Sequence, residues 1–236
     1  MKKKWFMAAV GLFLLYVFSI YIYLFHGADT SIPDALNGTS VDPKTFMDGE
    51  TLEDSEAYSK IRNFFFFIST PLEWLFYGIV LVTGLSKRLD RWGRMSWKRQ
   101  FVQTGAYVFW LSLLLFVVFL PLSYVRYKIS LSYGISTQAF SSWMKDNLIE
   151  FWVDYAMTAI VVMVLYWLIR KSPKRWWMFG WLLSIPFTVF LMFIQPVVID
   201  PLYNDFYPLQ NKELEEKILA LADKADIPAD HVYEVN

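Results

Sequence analysis

Long uncharged runs alternate with short charged segments along this chain. A helix needs about 20 predominantly apolar residues to cross the roughly 30 Å hydrocarbon layer of a bilayer. Five runs meet this requirement, at residues 5–25, 64–85, 101–125, 151–169 and 176–199. The pattern predicts an all-α polytopic membrane protein with about five transmembrane helices, followed by a short amphipathic helix and a lone β-strand that begin a truncated soluble domain.

The first apolar run is also compatible with a secretory signal, because it follows the three lysines at positions 2–4. A signal has an apolar core of about 7–15 residues and a small-residue cleavage site. This run is longer, and His26-Gly27-Ala28 is a poor cleavage site. We therefore interpret it as a retained membrane anchor.

The charged segments predict an orientation. The acidic loop 27–63 has eight acids and three bases, and its residues 49–62 favour an amphipathic helix. By contrast, segment 86–100 has six bases and one acid, and segment 170–175 has four bases and no acid. Lysine and arginine concentrate on the cytoplasmic side. We expect a multi-pass protein of a bacterial cell membrane, with its N-terminus cytoplasmic and its C-terminal tail outside.

The tail changes character after the fifth run. Asn211 is suited to cap a helix that continues to about Ala225, and apolar residues recur there at helical spacing. Pro228 ends this helix, and residues 231–235 alternate as a strand does. A strand without a partner is unstable. We therefore divide the chain into a membrane domain, 1–199, and the start of a soluble domain, 200–236.

Composition narrows the chemistry. Hydrophobic residues make up 56% of the chain and charged residues 19%, fewer than the roughly 25% of soluble domains. The net charge of zero gives no indication of nucleic acid binding, and there is no cysteine. The histidines are His26 and His231, so an HExxH motif is absent from these 236 residues. We predict no catalytic residue and no metal ligand among them.

Glu73 lies inside the second predicted span. A carboxylate within a bilayer is costly unless it faces protein or water, so its position indicates a functional role. The alternative is that the helix begins at Pro71, which would place Glu73 at the interface. The sequence leaves both interpretations open. Asp154, near the start of the fourth run, is predicted to be interfacial.

Two segments carry more specific patterns. The first is Tyr133–Gln138 with Trp143 and Asp146, and the second is Ile199–Leu209, which reads IDPLYNDFYPL. Both strongly resemble the N-terminal half of the type I CAAX prenyl proteases, which are integral-membrane HExxH zinc metalloproteases. The resemblance extends to Tyr58, to the helix positions Leu214, Ile218, Leu221 and Ala222, and to Val232–Val235.

The resemblance implies that the spans enclose an intramembrane chamber with a zinc site at one end. In that family HExxH supplies two zinc ligands and a glutamate base, and zinc activates a bound water. The present residues stop before that motif, so zinc is expected only in a complete family member, and the chain alone should be inactive. The candidate chamber or structural residues are Glu73, Gln138, Asp146, Asp200, Pro201 and Asn204.

Several alternatives remain open from sequence. The chain is a fragment of a longer reading frame, a natural truncation, or one whose partner supplies the rest. Its expected partners are the lipid bilayer and a membrane-associated peptide or protein substrate. A non-catalytic membrane binding or scaffold protein is the main alternative. A transporter ranks last, since no inverted repeat is found.

Overall fold

A computed structural model describes residues 2–27, 31–96, 99–204 and 206–235. Within this part, helices account for most residues, and a short two-stranded sheet lies in the tail. The elements in chain order are α1 (Lys2–Ile22, continued by a π-helical turn, Tyr23–Gly27), α2 (Gly49–Val82), α3 (Leu85–Ser96), α4 (Gln100–Ser132), α5 (Phe140–Lys171), α6 (Trp176–Ile194, continued by a π-helical turn, Gln195–Ile199), α7 (Asp200–Tyr203), β1 (Phe206–Pro208), α8 (Lys212–Lys224) and β2 (Tyr233–Val235).

Five helical stretches in the described residues are long and apolar enough to cross a membrane, which confirms the predicted fold class. They are Lys4–Gly27, Gly49–Val82, Gln100–Ser132, Phe140–Lys171 and Trp176–Tyr203. Their outer surfaces carry large apolar side chains that no other part of the structure covers, such as Trp5 (75% exposed), Phe66 (73%) and Phe193 (73%). Soluble proteins rarely expose such continuous apolar surface, whereas lipid covers it at no cost.

The second membrane helix is longer than the apolar run that predicted it. Asp48 caps it, since a carboxylate oxygen accepts a hydrogen bond from the Thr51 amide at 2.7 Å. The predicted amphipathic helix at 49–62 therefore forms the first turns of α2 rather than a separate element. The same helix continues through Pro71 to Val82.

The chain forms two compact units, Met1–Trp143 and Met144–Asn236. In the first unit, α1 packs on α2, and α3 packs on α4. The basic segment 86–100 thus includes a helix, of which Leu89 is buried while Lys87, Arg88 and Arg91 are exposed. The α3–α4 contact is close at Gly93, where an added Cβ would lie 3.0 Å from the Gln103 carbonyl oxygen. Trp97, an aromatic residue of the kind found at membrane interfaces, lies outside the described residues.

Asp42 lies in the acidic loop, where it holds neighbouring main-chain amides. This residue is buried, and its carboxylate accepts hydrogen bonds from the Gly38 amide at 2.8 Å and the Lys44 amide at 3.0 Å. These two bonds hold the pKa of Asp42 below its usual range. Gly38 has φ +72°, a backbone conformation that glycine adopts without strain.

In the second unit, the predicted strand at the end of the tail is not alone. β2 pairs antiparallel with β1, in the register Phe206 with Val235 and Tyr207 with Glu234. Next to this pair, the Leu209 amide donates to the Val232 carbonyl at 3.0 Å. The prediction of a lone strand was therefore wrong: the second motif itself supplies the partner.

The predicted tail helix is confirmed as α8. The Asn211 side chain accepts a hydrogen bond from the Leu214 amide at 3.1 Å, and Ala225 is the C-cap. On its first turn, Glu215 accepts a hydrogen bond from Lys212 Nζ at 2.6 Å. That contact, together with a smaller contribution from the Val232 amide, holds the pKa of Glu215 below its usual value.

Candidate functional site

The first motif begins at the C-terminal end of α4. Gly134 has φ +68°, and its amide donates to the Leu131 carbonyl at 3.1 Å, while the Ile135 amide donates to the Ser130 carbonyl at 3.0 Å. This pair of bonds defines a Schellman motif, which ends a helix with a residue in the left-handed region. Glycine is favoured here because a Cβ in that region is strained. The motif glycine thus turns the chain from α4 toward α5.

An aromatic cluster packs against this turn. The rings of Tyr127 and Trp143 are stacked with centroids 4.9 Å apart, and Tyr124 and Phe140 contact Trp143 at 5.7 and 5.6 Å. Tyr127 and Trp143 are both buried. Offset aromatic pairs contribute about 0.5–1.5 kcal/mol beyond the area they bury. The cluster therefore fixes the start of α5 against the end of α4.

Gln138, a predicted site residue, joins this cluster through its main chain. Its carbonyl accepts a hydrogen bond from the Tyr127 hydroxyl at 2.8 Å, and its amide donates to Ser136 Oγ at 3.2 Å. On the other side of the turn, the ring of Tyr133 lies 5.6 Å from that of Tyr58 on α2. These positions of the first motif thus link the end of α4 to the start of α5 and contact α2.

Asp146 lies on α5 in the second unit, and it is part of a row of carboxylates. Glu150 and Asp154 follow at intervals of four, so the three side chains share one face of the helix. Tyr203 on α7 lies near this row of carboxylates. Glu150 and Tyr203 were not predicted as site residues, although the four-residue spacing of the acids is visible in the sequence.

The predicted residues Asp200, Pro201 and Asn204 belong to one helical turn. Pro201 is the second residue of α7, which continues directly from the π-helical turn Gln195–Ile199. The Asn204 amide donates to the Asp200 carbonyl at 3.1 Å, and Asn204 then adopts an extended backbone. This turn leads from the fifth span into β1. Asp205 of the same motif lies outside the described residues.

The interfacial interpretation of Glu73 was based on a helix that begins at Pro71. Because α2 runs unbroken through Pro71, the helix does not begin there, and Glu73 lies in the interior of α2. Proline has no amide hydrogen, so the carbonyl of Phe67, four residues earlier, loses its helical partner. The Tyr16 hydroxyl of α1 donates to that carbonyl at 3.1 Å. Beside this contact, a cavity of about 710 Å³ lies between α1 and α2.

The described side chains do not suit a zinc ion. Within residues 2–27, 31–96, 99–204 and 206–235, no group of three or more histidine, aspartate or glutamate side chains is placed to hold a metal. His26 packs edge-on against the Tyr21 ring at 5.8 Å, and His231 belongs to the other compact unit. Zinc is therefore not assigned to any residue of this structure.

Comparison with known proteins decides the family. Residues 24–205 match the family model described as CAAX prenyl protease N-terminal, five membrane helices. The chain belongs to this family. The resemblance to the N-terminal membrane region of the CAAX prenyl proteases is thus confirmed.

Individual relatives agree with this family. The chain is 50% identical over 234 residues to the uncharacterized metalloprotease YhfN of Bacillus subtilis, covering 99% of this chain and 55% of YhfN. It is 26% identical over 235 residues to the human CAAX prenyl protease 1 homolog, covering 95% of this chain and 50% of that protein. It therefore spans about half the length of these curated relatives.

A solved structure also shares the fold. The crystal structure of S. mikatae Ste24p matches with a TM-score of 0.72 at 22% identity, covering 99% of this chain and 55% of Ste24p. At this identity the likeness shows the fold alone.

Proposed function

We propose that these 236 residues form the membrane region of a zinc-dependent endopeptidase that cleaves membrane-associated peptides or proteins. The observation that carries the proposal is the pairing of β1 with β2. This pairing joins two segments of the tail, each of which resembles the protease family. β1 follows shortly after the fifth span. In this view the strand pair is the base on which a catalytic domain is built.

We assign the zinc ligands and the catalytic glutamate to residues outside these 236. The proposal rests on the sequence, which has His26 and His231 but no HExxH, and on the family to which the chain belongs. A zinc ion in such a protease polarises the scissile carbonyl and lowers the pKa of a bound water. The present chain would contribute walls and substrate contacts rather than the reacting groups.

Glu73 and Asp146 are our candidates for the polar positions of the chamber. A carboxylate inside a membrane helix is kept only where protein, water or a substrate offsets its cost. Asp146 shares a helix face with Glu150 and Asp154, and this face lies near the Tyr203 hydroxyl. We propose that this row binds polar backbone groups of an extended peptide, while Asp200–Asn204 fixes the junction with the catalytic part.

A chimera tests the proposal. Residues 1–236 are joined to the C-terminal part of YhfN, the half-identical relative, and peptide hydrolysis is measured in detergent with and without a zinc chelator. We expect chelator-sensitive hydrolysis by the chimera and none by the 236-residue chain. Zinc-dependent hydrolysis by the 236-residue chain would refute the assignment of catalysis to other residues. A chimera that binds peptide without cleaving it would favour a non-catalytic scaffold.

Within an active chimera, D146N is expected to raise KM or lower kcat by about tenfold, the effect of one charged hydrogen bond. The matched control is E216Q, which changes an exposed glutamate on α8. If D146N and E216Q are equally active, the assignment of Asp146 to the chamber is wrong. E73Q is compared in the same assay.

The orientation is tested with single cysteines, because the chain has none of its own. Glu216 on α8 and Lys174 in the basic segment before α6 are both exposed. We expect a membrane-impermeant maleimide to label E216C in intact cells and K174C only after lysis. The reverse pattern would place the tail in the cytoplasm and overturn the orientation taken from the basic loops.

A further inference from the structure

A small cavity between α2 and α4 carries two arginines. It has a volume of about 230 Å³ and is lined from α2 by Tyr58, Arg62 and Phe65 and from α4 by Arg126 and Ile129, with further apolar contributions from α2. All of these residues lie in the compact unit Met1–Trp143. Apolar and aromatic walls with two guanidinium groups at the rim suit a ligand that is part anion and part hydrocarbon.

Neither guanidinium is neutralised by a carboxylate in the described part of the chain. Ion pairs there include Arg94–Asp90, Lys212–Glu215 and Lys217–Glu213, and neither Arg62 nor Arg126 takes part in one. The residues three and four positions away on their own helices are also uncharged. Both side chains are exposed, so this cavity presents two positive charges to an approaching anion.

The depth of the two arginines identifies the kind of anion. Arg62 immediately precedes the apolar run 64–85 on α2, and Arg126 immediately follows the apolar run 101–125 on α4. Since α2 and α4 cross in opposite directions, both guanidinium groups lie at the boundary on the side of the acidic loop. Lipid phosphates occupy this level, and the arginine fork binds phosphate in a bidentate geometry.

The size of the cavity supports the same occupant. Its volume is below the roughly 300–1,000 Å³ of sites that enclose a drug-sized ligand. It has room for a headgroup phosphate but not for an extended peptide. Phe65 and Phe66 continue along α2 into the hydrocarbon layer and offer a surface for an acyl chain.

We propose that the Arg62–Arg126 cavity binds the phosphate of an anionic phospholipid in the leaflet that faces the acidic loop. Two guanidinium charges against one phosphate leave an excess positive charge. That excess disfavours the choline cation of phosphatidylcholine and favours a lipid such as phosphatidylglycerol. The bound lipid would tie α2 to α4 beside the turn that contains Gly134.

Native mass spectrometry of the purified 236-residue chain in detergent tests this proposal. The chain is titrated with phosphatidylglycerol, with phosphatidylcholine and with inorganic phosphate, and the fraction that retains one lipid is measured. We expect phosphatidylglycerol to bind at least tenfold tighter than phosphatidylcholine, and phosphate alone not to compete at equal concentration. Equal binding of the two lipids, or full competition by inorganic phosphate, would overturn the proposal.

The variant R62Q/R126Q should weaken retention of phosphatidylglycerol by about tenfold for each arginine removed. The matched control R88Q/R91Q removes two exposed arginines from α3, at the opposite boundary, and should stay within about twofold of the unchanged chain. An equal loss in both variants would show that net charge rather than this cavity holds the lipid. If the double variant aggregates, R126Q alone is measured, with about tenfold weakening expected.

Discussion

The contact between Tyr16 and the helix around Pro71 allows a sharp test of how α1 is held against α2. Pro71 leaves the Phe67 carbonyl without a helical amide, and the Tyr16 hydroxyl donates to it at 3.1 Å. The change Y16F removes the donor and leaves the carbonyl unpaired in an apolar environment. The change P71A restores an amide at position 71 that can bond to the same carbonyl.

The size of the effect follows from known hydrogen bonds in membranes. Their coupling energies average about 0.6 kcal/mol and reach about 1.7. Because Y16F leaves an unpaired acceptor, we expect the free energy of unfolding to fall by about 1 kcal/mol, a factor of about five in the folded-to-unfolded ratio. In the P71A background the loss should be close to zero, so the coupling energy should be about 1 kcal/mol.

The assay is unfolding in mixed micelles with increasing SDS, followed by circular dichroism, for the four proteins of the cycle. The control is Y21F, since the contacts described for Tyr21 are ring contacts with Phe25, His26 and Phe64. Y21F should leave the free energy of unfolding almost unchanged. A loss for Y16F that is the same in the P71A background as in the unchanged chain would refute the role given to the proline.

Three further predictions concern the turn, the α3–α4 contact and the tail. G134A forces a Cβ into the left-handed region and should lower the free energy of unfolding by about 1 kcal/mol. The control G78A adds a Cβ in open space on α2 and should not lower it. Unfolding in SDS compares the two variants. G93V pushes a side chain against the Gln103 carbonyl and should cost about 1–3 kcal/mol in the same assay, and an unchanged midpoint would contradict the close α3–α4 packing. Glu215 has a lowered pKa in the folded state. The stability it adds to α8 should therefore be complete above its unfolded pKa, near 4.5, and decline as the pH falls through the lowered value. Hydrogen exchange of α8 should show this decline, which E215Q should abolish.

Local features of the tail could be predicted because each depends on a few neighbouring residues. Asn211 caps α8 by reaching an amide three positions ahead, and Pro228 lies just beyond the end of that helix. Capping is a local hydrogen bond that sequence spacing reveals directly. The roles of Glu73, Gln138 and Asp146 in a chamber remain predictions, because they depend on a ligand that the spacing of residues in the sequence does not reveal.

Other features depend on residues that are far apart in sequence. β1 has three residues and lacks a recognisable strand pattern, yet it pairs with β2 near the end of the chain. Likewise, the contribution of Gln138 comes from its carbonyl, which the Tyr127 hydroxyl reaches across the turn. Main-chain acceptors are the same in every residue, so the side chain at position 138 gives no sign of this bond.

The sequence by itself determined the five spans, because a bilayer demands long uncharged runs whatever the neighbouring helices are. It also indicated the family through its two motifs. Only the tertiary structure decided that α2 continues through Pro71, that β2 has a partner, and that Arg62 and Arg126 share a cavity. Each of these depends on a group from another element that completes a hydrogen bond, pairs a strand or adds a second charge, and such partners are set by packing rather than by local pattern.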